Sequence, residues 1–407
     1  MYDEPLSVVD LFSGAGGLTA SFERAGFHSV ATVELDSDCV ATLRANQSRR
    51  LPIDENRDRV FLDDTRILHC DVSDVTRADV VPRGAGPKWR PTVLAGGPPC
   101  QPFSFAGLGQ GLRDGRGQLF REFVRLAAEL RPRFILFENV PGLVTARCAG
   151  GHPGGVLQII QHAFEGIGYA CRFNLLNSAD FGAPQRRVRL YMIAAERGIL
   201  PQFPEPSHSA SDERLLPWAS IRECLERLPV PDEQDIVRPS GRRAMELLRL
   251  KPGTGLKSIG IVEANRPSGH WGYRQDCFRA DESLPSRTIR AASTPDWIVD
   301  ADGMRRLTWR ECAALQDFPA DWTFCGSAAS RFRQIGNAVQ GHVGLRVAHM
   351  LGRAAADAGD MALTSPPWPG TFHRRVSYTA AEDRVNGWHR EMAKRASPNA
   401  ERRRASV

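Results

Sequence analysis

Asp10-Leu11-Phe12-Ser13-Gly14-Ala15-Gly16-Gly17 is the stretch that decides the fold. It closes an apolar run that begins at Leu6, and it opens a helical stretch that reaches Arg24 and stops at Gly26. Small residues at such a junction let backbone come close to a ligand at the end of a first strand. Outward from it, His28 to Leu35 reads as a second strand with Glu34 and Asp36 at its end, and Ile67 to Val72 as a third. Pro91 to Ala95 reads as a fourth, running into Gly96-Gly97-Pro98-Pro99-Cys100. Arg116 to Leu130 has helical spacing, and Arg133 to Phe137 is a fifth strand that ends in Glu138-Asn139-Val140-Pro141-Gly142. Tyr169 to Leu176 and Val188 to Ala195 complete the series. Strands alternating with helices predict an open, mostly parallel α/β sheet whose ligands bind at the carboxyl ends of the strands.

From Glu196 to Met304 the texture changes. Prolines cluster at Pro201, Pro204 and Pro206, and aromatic and basic residues interleave through Trp271, Tyr273, Arg274, Phe278 and Arg279. A smaller domain of irregular β and loop structure is expected over 197–304, beside a first domain over 1–196. Helical signals return at Thr308 to Gln316 and after Gly341, so 305–352 is expected to complete the first domain. Residues 353–407, rich in Ala, Pro and Arg, read as a basic and partly disordered tail.

The chain has 407 residues, 42% hydrophobic and 25% charged, which suffices for a full core and excludes a wholly disordered chain. No apolar run is long enough to span a bilayer, and Met1 to Ser7 is too short and acidic for a signal peptide, so the expected location is cytoplasmic. A net charge of +6 is compatible with a nucleic-acid partner. The nine cysteines are odd in number and none forms a Cys-x-x-Cys pair, which argues against a disulfide framework and against a metal site. Most read as small buried hydrophobes, leaving room for one that is catalytic.

Four constellations carry chemistry. The glycine turn at Asp10 to Gly17, with Glu34 placed to accept from ribose hydroxyls, is tighter than a dinucleotide fingerprint and suits a nucleoside ligand without a pyrophosphate, such as S-adenosylmethionine; the plain alternative is a strand-to-helix turn. Pro98 and Pro99 stiffen the loop that presents Cys100, and the glycine-rich stretch from Phe105 to Gly117 has the make-up of a lid; the alternative is a structural thiol in a turn. Glu138, at a strand end, could hold a proton if half-buried, or could be a helix cap. In Gln185-Arg186-Arg187-Val188-Arg189, strand geometry puts Arg187 and Arg189 on one face, where two guanidinium groups clamp a carbonyl, carboxylate or phosphate, or form a solvated edge.

Their order and identity resemble one family, the C5-cytosine-specific DNA methyltransferases of bacterial restriction-modification type. Asp10 to Gly17 resembles that family's first cofactor motif, Glu34 its ribose-binding acid, and Asp71-Val72 its adenine-binding motif. Pro99-Cys100-Gln101, Glu138-Asn139-Val140 and Gln185 to Arg189 resemble its catalytic motifs, Arg306 to Pro319 the motif that supports the recognition domain, and Gln334 to Val339 the final cofactor motif. The resemblance covers residues 8 to 345 outside the variable region. It implies a Rossmann-like sheet for S-adenosyl-L-methionine-dependent methyl transfer with a target-recognition domain. The implied cofactor residues are Phe12, Gly14, Gly16, Gly17, Glu34, Asp71, Val72, Pro99, Asn337 and Val339.

The implied chemistry is covalent. Cys100 adds to carbon 6 of a cytosine flipped out of double-stranded DNA, Glu138 serves ring nitrogen 3, Arg189 binds the ring carbonyl and helps orient Glu138, and Arg187 holds the phosphate or sugar beside the base. Ser286 to Arg290 resembles the family's short recognition element, so Arg274, Arg287, Thr288 and Arg290 are the expected DNA-reading residues, although phosphate contact is open for each arginine. A monomer and a cognate restriction endonuclease as companion are further expectations. The tRNA branch of the superfamily is the alternative; its Cys-Phe-Thr differs from Cys277-Phe278-Arg279 at the third position. A non-catalytic relative is disfavoured by the presence of Cys100, Glu138 and Arg189.

Overall fold

The computed structural model describes residues 5–53, 58–99, 119–146, 154–196, 198, 200–257, 273–291, 294–356 and 363–368, the side chains of 256, 257 and 273–275 excepted. Cys100 and the glycine-rich stretch after it lie outside the described residues.

A seven-stranded sheet organises the molecule. Its strands are β1 (Ser7–Leu11), β2 (His28–Glu34), β3 (Arg66–His69), β4 (Val93–Gly96), β5 (Phe134–Asn139), β6 (Ala170–Asn177) and β7 (Val188–Ala195), in the order β3-β2-β1-β4-β5-β7-β6. The pairings from β3 through β5 are parallel. β7 runs against both β5 and β6. Central strands such as β1 and β5 are buried at every position, which is why they read as continuous apolar runs rather than alternating ones. Gly96 marks a close approach between strands: a Cβ there would lie 2.3 Å from the Leu11 carbonyl oxygen.

Helices cover both faces. On one side α1 (Gly17–Arg24) and, far along the chain, α10 (Gly341–Ala356) bury Leu18, Phe22, Val343, Val347 and Leu351. On the other, α4 (Leu119–Leu130) and α5 (Gly155–Gly166) bury Phe120, Phe123, Leu126, Leu130, Ile160 and Phe164. The spacing in α4 is that of an amphipathic helix with one inward stripe. The remaining helices are α2 (Ser37–Arg49), α3 (Arg77–Val80), α6 (Ile221–Leu225), α7 (Gly241–Leu248), α8 (Trp309–Leu315) and α9 (Ala328–Asn337).

The variable region, expected as irregular β and loop structure, is mostly loop around short strands. After the short pair β8 (His208–Ser209) and β9 (Leu216–Pro217), strands β10 (Thr254–Lys257), β11 (Tyr273–Arg279), β12 (Trp297–Asp300) and β13 (Gly303–Arg306) form a four-stranded sheet. Leu247, Cys277, Trp297 and Met304 give it a small core, too sparse to announce itself as a two-residue period. Two boundaries also differ from expectation: β13 crosses 304/305, and α10 continues past 352 to Ala356. Part of the tail is packed, since Leu363 and Trp368 lie against the two main hydrophobic clusters. Among the described residues no helix is long and apolar enough to cross a membrane.

Candidate active site

The turn after β1 is shaped by backbone that few residues adopt. Phe12 has φ 58° and Gly14 φ 55°, and the left-handed region is uncommon for a phenylalanine. The turn is tied to the end of β2 through Glu34, which accepts from the Gly14 amide at 2.7 Å and from those of Leu35 and Asp36 at 2.8 and 2.7 Å. Asp36 caps α2 and pairs with Arg333 of α9 at 2.9 Å. Asp71 accepts from the amide and hydroxyl of Ser73, bonds that hold its carboxyl below the ordinary range. Phe12, Gly14, Glu34, Asp71, Val72, Pro99, Asn337 and Val339 all line one cavity of about 670 Å³.

Gly16 and Gly17 do not. A Cβ on Gly16 would come within 2.8 Å of the Leu43 side chain and 3.1 Å of Trp322, and one on Gly17 within 3.1 Å of the Val339 carbonyl oxygen. These two glycines let α1 pack closely against α2 and the residues after α9. Their place in the motif gave no sign of which glycines face a ligand.

Asp10, the first residue of the turn and not an expected cofactor residue, also lines the cavity. One carboxylate oxygen accepts from the Thr19 hydroxyl at 2.6 Å, and the other is buried with no partner. Burial pushes its carboxyl up to about 7, against the Thr19 bond. With Glu34, Asp36 and Asp71 it makes one end of the cavity acidic. That set of acceptors fits S-adenosylmethionine, which brings a sulfonium, an ammonium and a ribose diol.

The other end holds a different set. Glu138 is buried near the end of β5, and Gly97 makes room for it: a Cβ at Gly97 would lie 2.9 Å from Glu138 Oε2. Because β7 runs against β5, its first residues arrive beside the last ones of β5, and Arg189 Nε stands 3.3 Å from Glu138 Oε1. Burial raises the Glu138 carboxyl, and Arg189, then Arg187, oppose the rise. Asn139, whose role the sequence left unread, donates to the Pro98 carbonyl at 3.0 Å and so holds the two prolines that lead into Cys100.

Arg187 is not the free half of a clamp. Its side chain is buried and donates to the Ile289 and Gly336 carbonyls, each at 3.0 Å, tying the recognition segment to α9. It still reaches the cavity wall, as Arg189 does. Burial, reinforced by Arg189, pulls its guanidinium below the ordinary range.

The DNA-reading candidates divide. Arg287 grips Asp296 with two nitrogens, the Nε bond at 2.9 Å, and lies 3.6 Å over the Phe278 ring, so its fork is already occupied. The Thr288 hydroxyl is donated to the Arg186 carbonyl at 2.8 Å. Arg290 is exposed, while Arg274 stands in β11 with its side chain outside those described. The Ser286–Arg290 stretch is docked on Pro184 to Arg187 by the Ser286 and Arg186 amides at 2.9 Å and by Ile289 on the buried Gln185 side chain at 3.3 Å. Gln185 continues to Gln316 at 3.1 Å, and Arg305 supports the same region through a two-pronged pair with Glu311 at 2.7 and 2.8 Å. None of these long-range partners could be read from spacing.

Of the seven described thiols, Cys39, Cys171, Cys277 and Cys312 are buried, and Cys70, Cys224 and Cys325 are half-buried. Burial pushes Cys39, Cys171 and Cys312 up, and Cys224 to about 11, and Cys277 is fully buried. No metal-holding group of three His, Cys, Asp or Glu occurs among the described residues.

A parallel sheet with one reversed strand beside its edge, and a ligand cavity at the carboxyl ends, defines the Rossmann-like fold of S-adenosylmethionine-dependent methyltransferases. The sequence profile of the C-5 cytosine-specific DNA methylases matches residues 6–353, and the chain belongs to that family, whose enzyme class is DNA (cytosine-5-)-methyltransferase. It is 32% identical to the Type II methyltransferase M1.HphI of Haemophilus parahaemolyticus, over 83% of this chain and 84% of that one. It is 30% identical to M.Eco47II of Escherichia coli, over 85% and 79%. Among solved structures it resembles a prophage-encoded Escherichia coli protein described as a DNA modification methyltransferase, with TM-score 0.58, 24% identity, and 86% and 100% of the two chains covered. It also resembles a DNMT2 mutant of Spodoptera frugiperda, with TM-score 0.58, 16% identity, and 85% and 99% covered. At these identities the two structures speak for the fold alone.

Proposed function

We propose that this chain methylates carbon 5 of a cytosine within a particular double-stranded DNA sequence, through a covalent bond to Cys100. The observation that carries the reading is the Glu138–Arg189 pair, 3.3 Å apart, with Glu138 packed against Gly97, in the cavity that Pro99, the residue before Cys100, also lines. Phe12, Glu34, Asp71 and Asn337 would hold S-adenosylmethionine, with Asp10 facing its cationic end. When bound, the cofactor supplies an electrophilic methyl on sulfur.

The chain's residues do the rest. Cys100 as thiolate adds to carbon 6, and the electron pair of the 5,6 double bond shifts through the ring toward nitrogen 3, where Glu138 donates a proton or hydrogen bond. Arg189 holds Glu138 and offers its remaining donors to the ring carbonyl. Carbon 5 is then enamine-like and can be alkylated. Loss of the carbon 5 proton to a base restores the double bond and expels the Cys100 thiolate. The base must leave the duplex first, at a few kcal/mol of stacking and pairing. The region 197–304 reads the surrounding sequence, with Arg274 and Arg290 the candidates for contact.

The naming of the relatives as Type II methyltransferases supports a protective role beside a restriction endonuclease. Duplex DNA carrying 5-fluorocytosine, incubated with S-adenosylmethionine, should trap the chain as a denaturation-resistant adduct. Cys100→Ser should form none and transfer no methyl group. Wild-type rates in Cys100→Ser would overturn the mechanism, and base-resolution mapping of methylated DNA would give the target.

A further inference from the structure

Trp368 lies beyond the family-matched region, which ends at residue 353. Residues 363–368 cross the edge of the main sheet at β6: Leu363 packs on the cluster under one face and Trp368 on the cluster under the other. The Ser365 hydroxyl accepts from the Cys171 amide at 2.9 Å and donates to Glu165 at 2.5 Å, which fixes the segment on β6 and α5. The Trp368 ring N–H donates to Gln161 at 2.7 Å, and the ring meets Phe173 edge-on at 6.4 Å.

The same ring closes on Gly154, the residue before α5. Gly154 has φ 86°, and a Cβ there would stand 2.9 Å from the Trp368 ring and 3.2 Å from the Val144 carbonyl oxygen, so the glycine is held between the two. From Gly154 a run of hydrogen bonds leads to the active site. Its amide donates to the Ala146 carbonyl at 3.1 Å, the Ala146 amide to the Leu143 carbonyl at 3.3 Å, and the Leu143 amide to the Val140 carbonyl at 3.1 Å. The Val140 amide donates to the Asn139 side-chain oxygen at 2.8 Å, and the Asn139 side-chain nitrogen to the Pro98 carbonyl at 3.0 Å. Leu143, Val144 and Ala146, in and after the turn Pro141–Val144, are buried in the cluster that Trp368 packs against. The run ends on the cavity wall, where Asn139, Val140, Pro98 and Pro99 all stand. Packed side chains joined to hydrogen-bonded turns are the physical means by which one site moves another.

We propose that Trp368 is a positioning residue for methyl transfer: its ring pins Gly154 against the turn after β5 and so sets where Asn139 holds the two prolines that lead into Cys100. This rests on the reading of Cys100 as the nucleophile. Trp368 does not line the cavity and acts only through other residues. Its loss should slow the covalent step, because a misplacement of about 1 Å at a reacting group costs up to roughly a hundredfold. Duplex and cofactor affinity should hold, since the run of bonds ends at Pro98 and not at the recognition region or at Glu34 and Asp71.

The test compares the full chain as wild type, Trp368→Ala and Trp368→Phe, each cooled well below its thermal midpoint. Single-turnover methylation of duplex DNA at saturating S-adenosylmethionine, and the rate of trapping on 5-fluorocytosine DNA, should both fall about 10- to 100-fold in Trp368→Ala. Duplex and cofactor affinity should stay within about twofold. Trp368→Phe keeps a ring against Gly154 and gives up the bond to Gln161, so its rate should stay within about threefold of the wild type. Hydrogen exchange at the Leu143, Ala146 and Gly154 amides should quicken about tenfold or more in Trp368→Ala, with the β1 amides unchanged. If Trp368→Ala does not fold, Trp368→Leu fills the cluster but falls short of Gly154 and carries the same expectations. Four results would each overturn the proposal: a wild-type rate in Trp368→Ala, a loss that further cooling restores, a loss seen as weaker binding at an unchanged saturated rate, or a Trp368→Phe as slow as Trp368→Ala. Should the wild type itself form no adduct, the methyl-transfer reading falls. Exchange at the three amides then decides the brace alone: quickened exchange upholds it and unchanged exchange refutes it.

Discussion

Glu138 is held in an environment that works against its charge and a partner that works for it. Burial raises its carboxyl, and Arg189 at 3.3 Å keeps the rise in check. A proton donor in that position should leave a mark on the rate. On the proposed mechanism the protonated form is the active one, so methyl transfer in a single turnover should fall as pH rises through the raised value. Glu138→Gln keeps the shape but has no proton to give; it should lose about 10²- to 10⁴-fold in kcat with little change in duplex affinity, and its residual rate should lack the alkaline fall. A Glu138→Gln profile that falls with pH as the wild type does would assign that limb to another group. The carboxylate was legible in the sequence from its strand-end position and its neighbours Asn139 and Val140. Arg189 as its partner was implied by the resemblance; what spacing left unread is the fate of Arg187, because Arg187 and Arg189 differ only in what the folded chain brings to them. One reaches the acid; the other is absorbed by two carbonyls, 102 and 149 residues away.

At the scale of elements, the strands and helices of the main sheet were largely legible, because buried parallel strands are continuous apolar runs ended by turn residues. The reversal of β7 was not, since the direction of a strand leaves no trace in its composition. The variable region was read as β and loop, but its individual strands were not, for a different reason: their core rests on a few scattered residues such as Cys277, Trp297 and Met304. The junction between that sheet and α9 is tight. A Cβ on Gly336 would stand 2.3 Å from the Ala291 amide nitrogen and 2.5 Å from the Arg290 carbonyl carbon, both backbone atoms that cannot swing aside. Gly336→Ala should therefore cost about 1–3 kcal/mol of stability, seen as a lower urea midpoint with the slope unchanged. Its methylation rate should fall as well, because Asn337 and the docked Ile289 both move. A midpoint equal to that of the wild type would mean that α9 and the recognition segment part without cost.

For the molecule as a whole, two buried carboxyls set a pH dependence of folding. Asp10 and Glu23 are both pushed up to about 7 by burial, from ordinary values near 4. Between those limits the folded chain keeps protons that the unfolded chain releases. Their contribution is thus complete at acidic pH and is lost as pH rises through 7. The thermal midpoint should fall between about pH 4 and pH 7, and Asp10→Asn with Glu23→Gln should flatten that fall; parallel curves for the two proteins would refute it. Global connectivity has a consequence of another kind. The cavity wall joins Phe12 and Glu34 to Asn337 and Val339, and α10 must then lie down on α1. A ribosome making this chain has to release everything up to Val339 before the wall can close. A translation product that stops short of Val339 therefore lacks part of the cavity wall, and methylation begins only after that residue has left the ribosome.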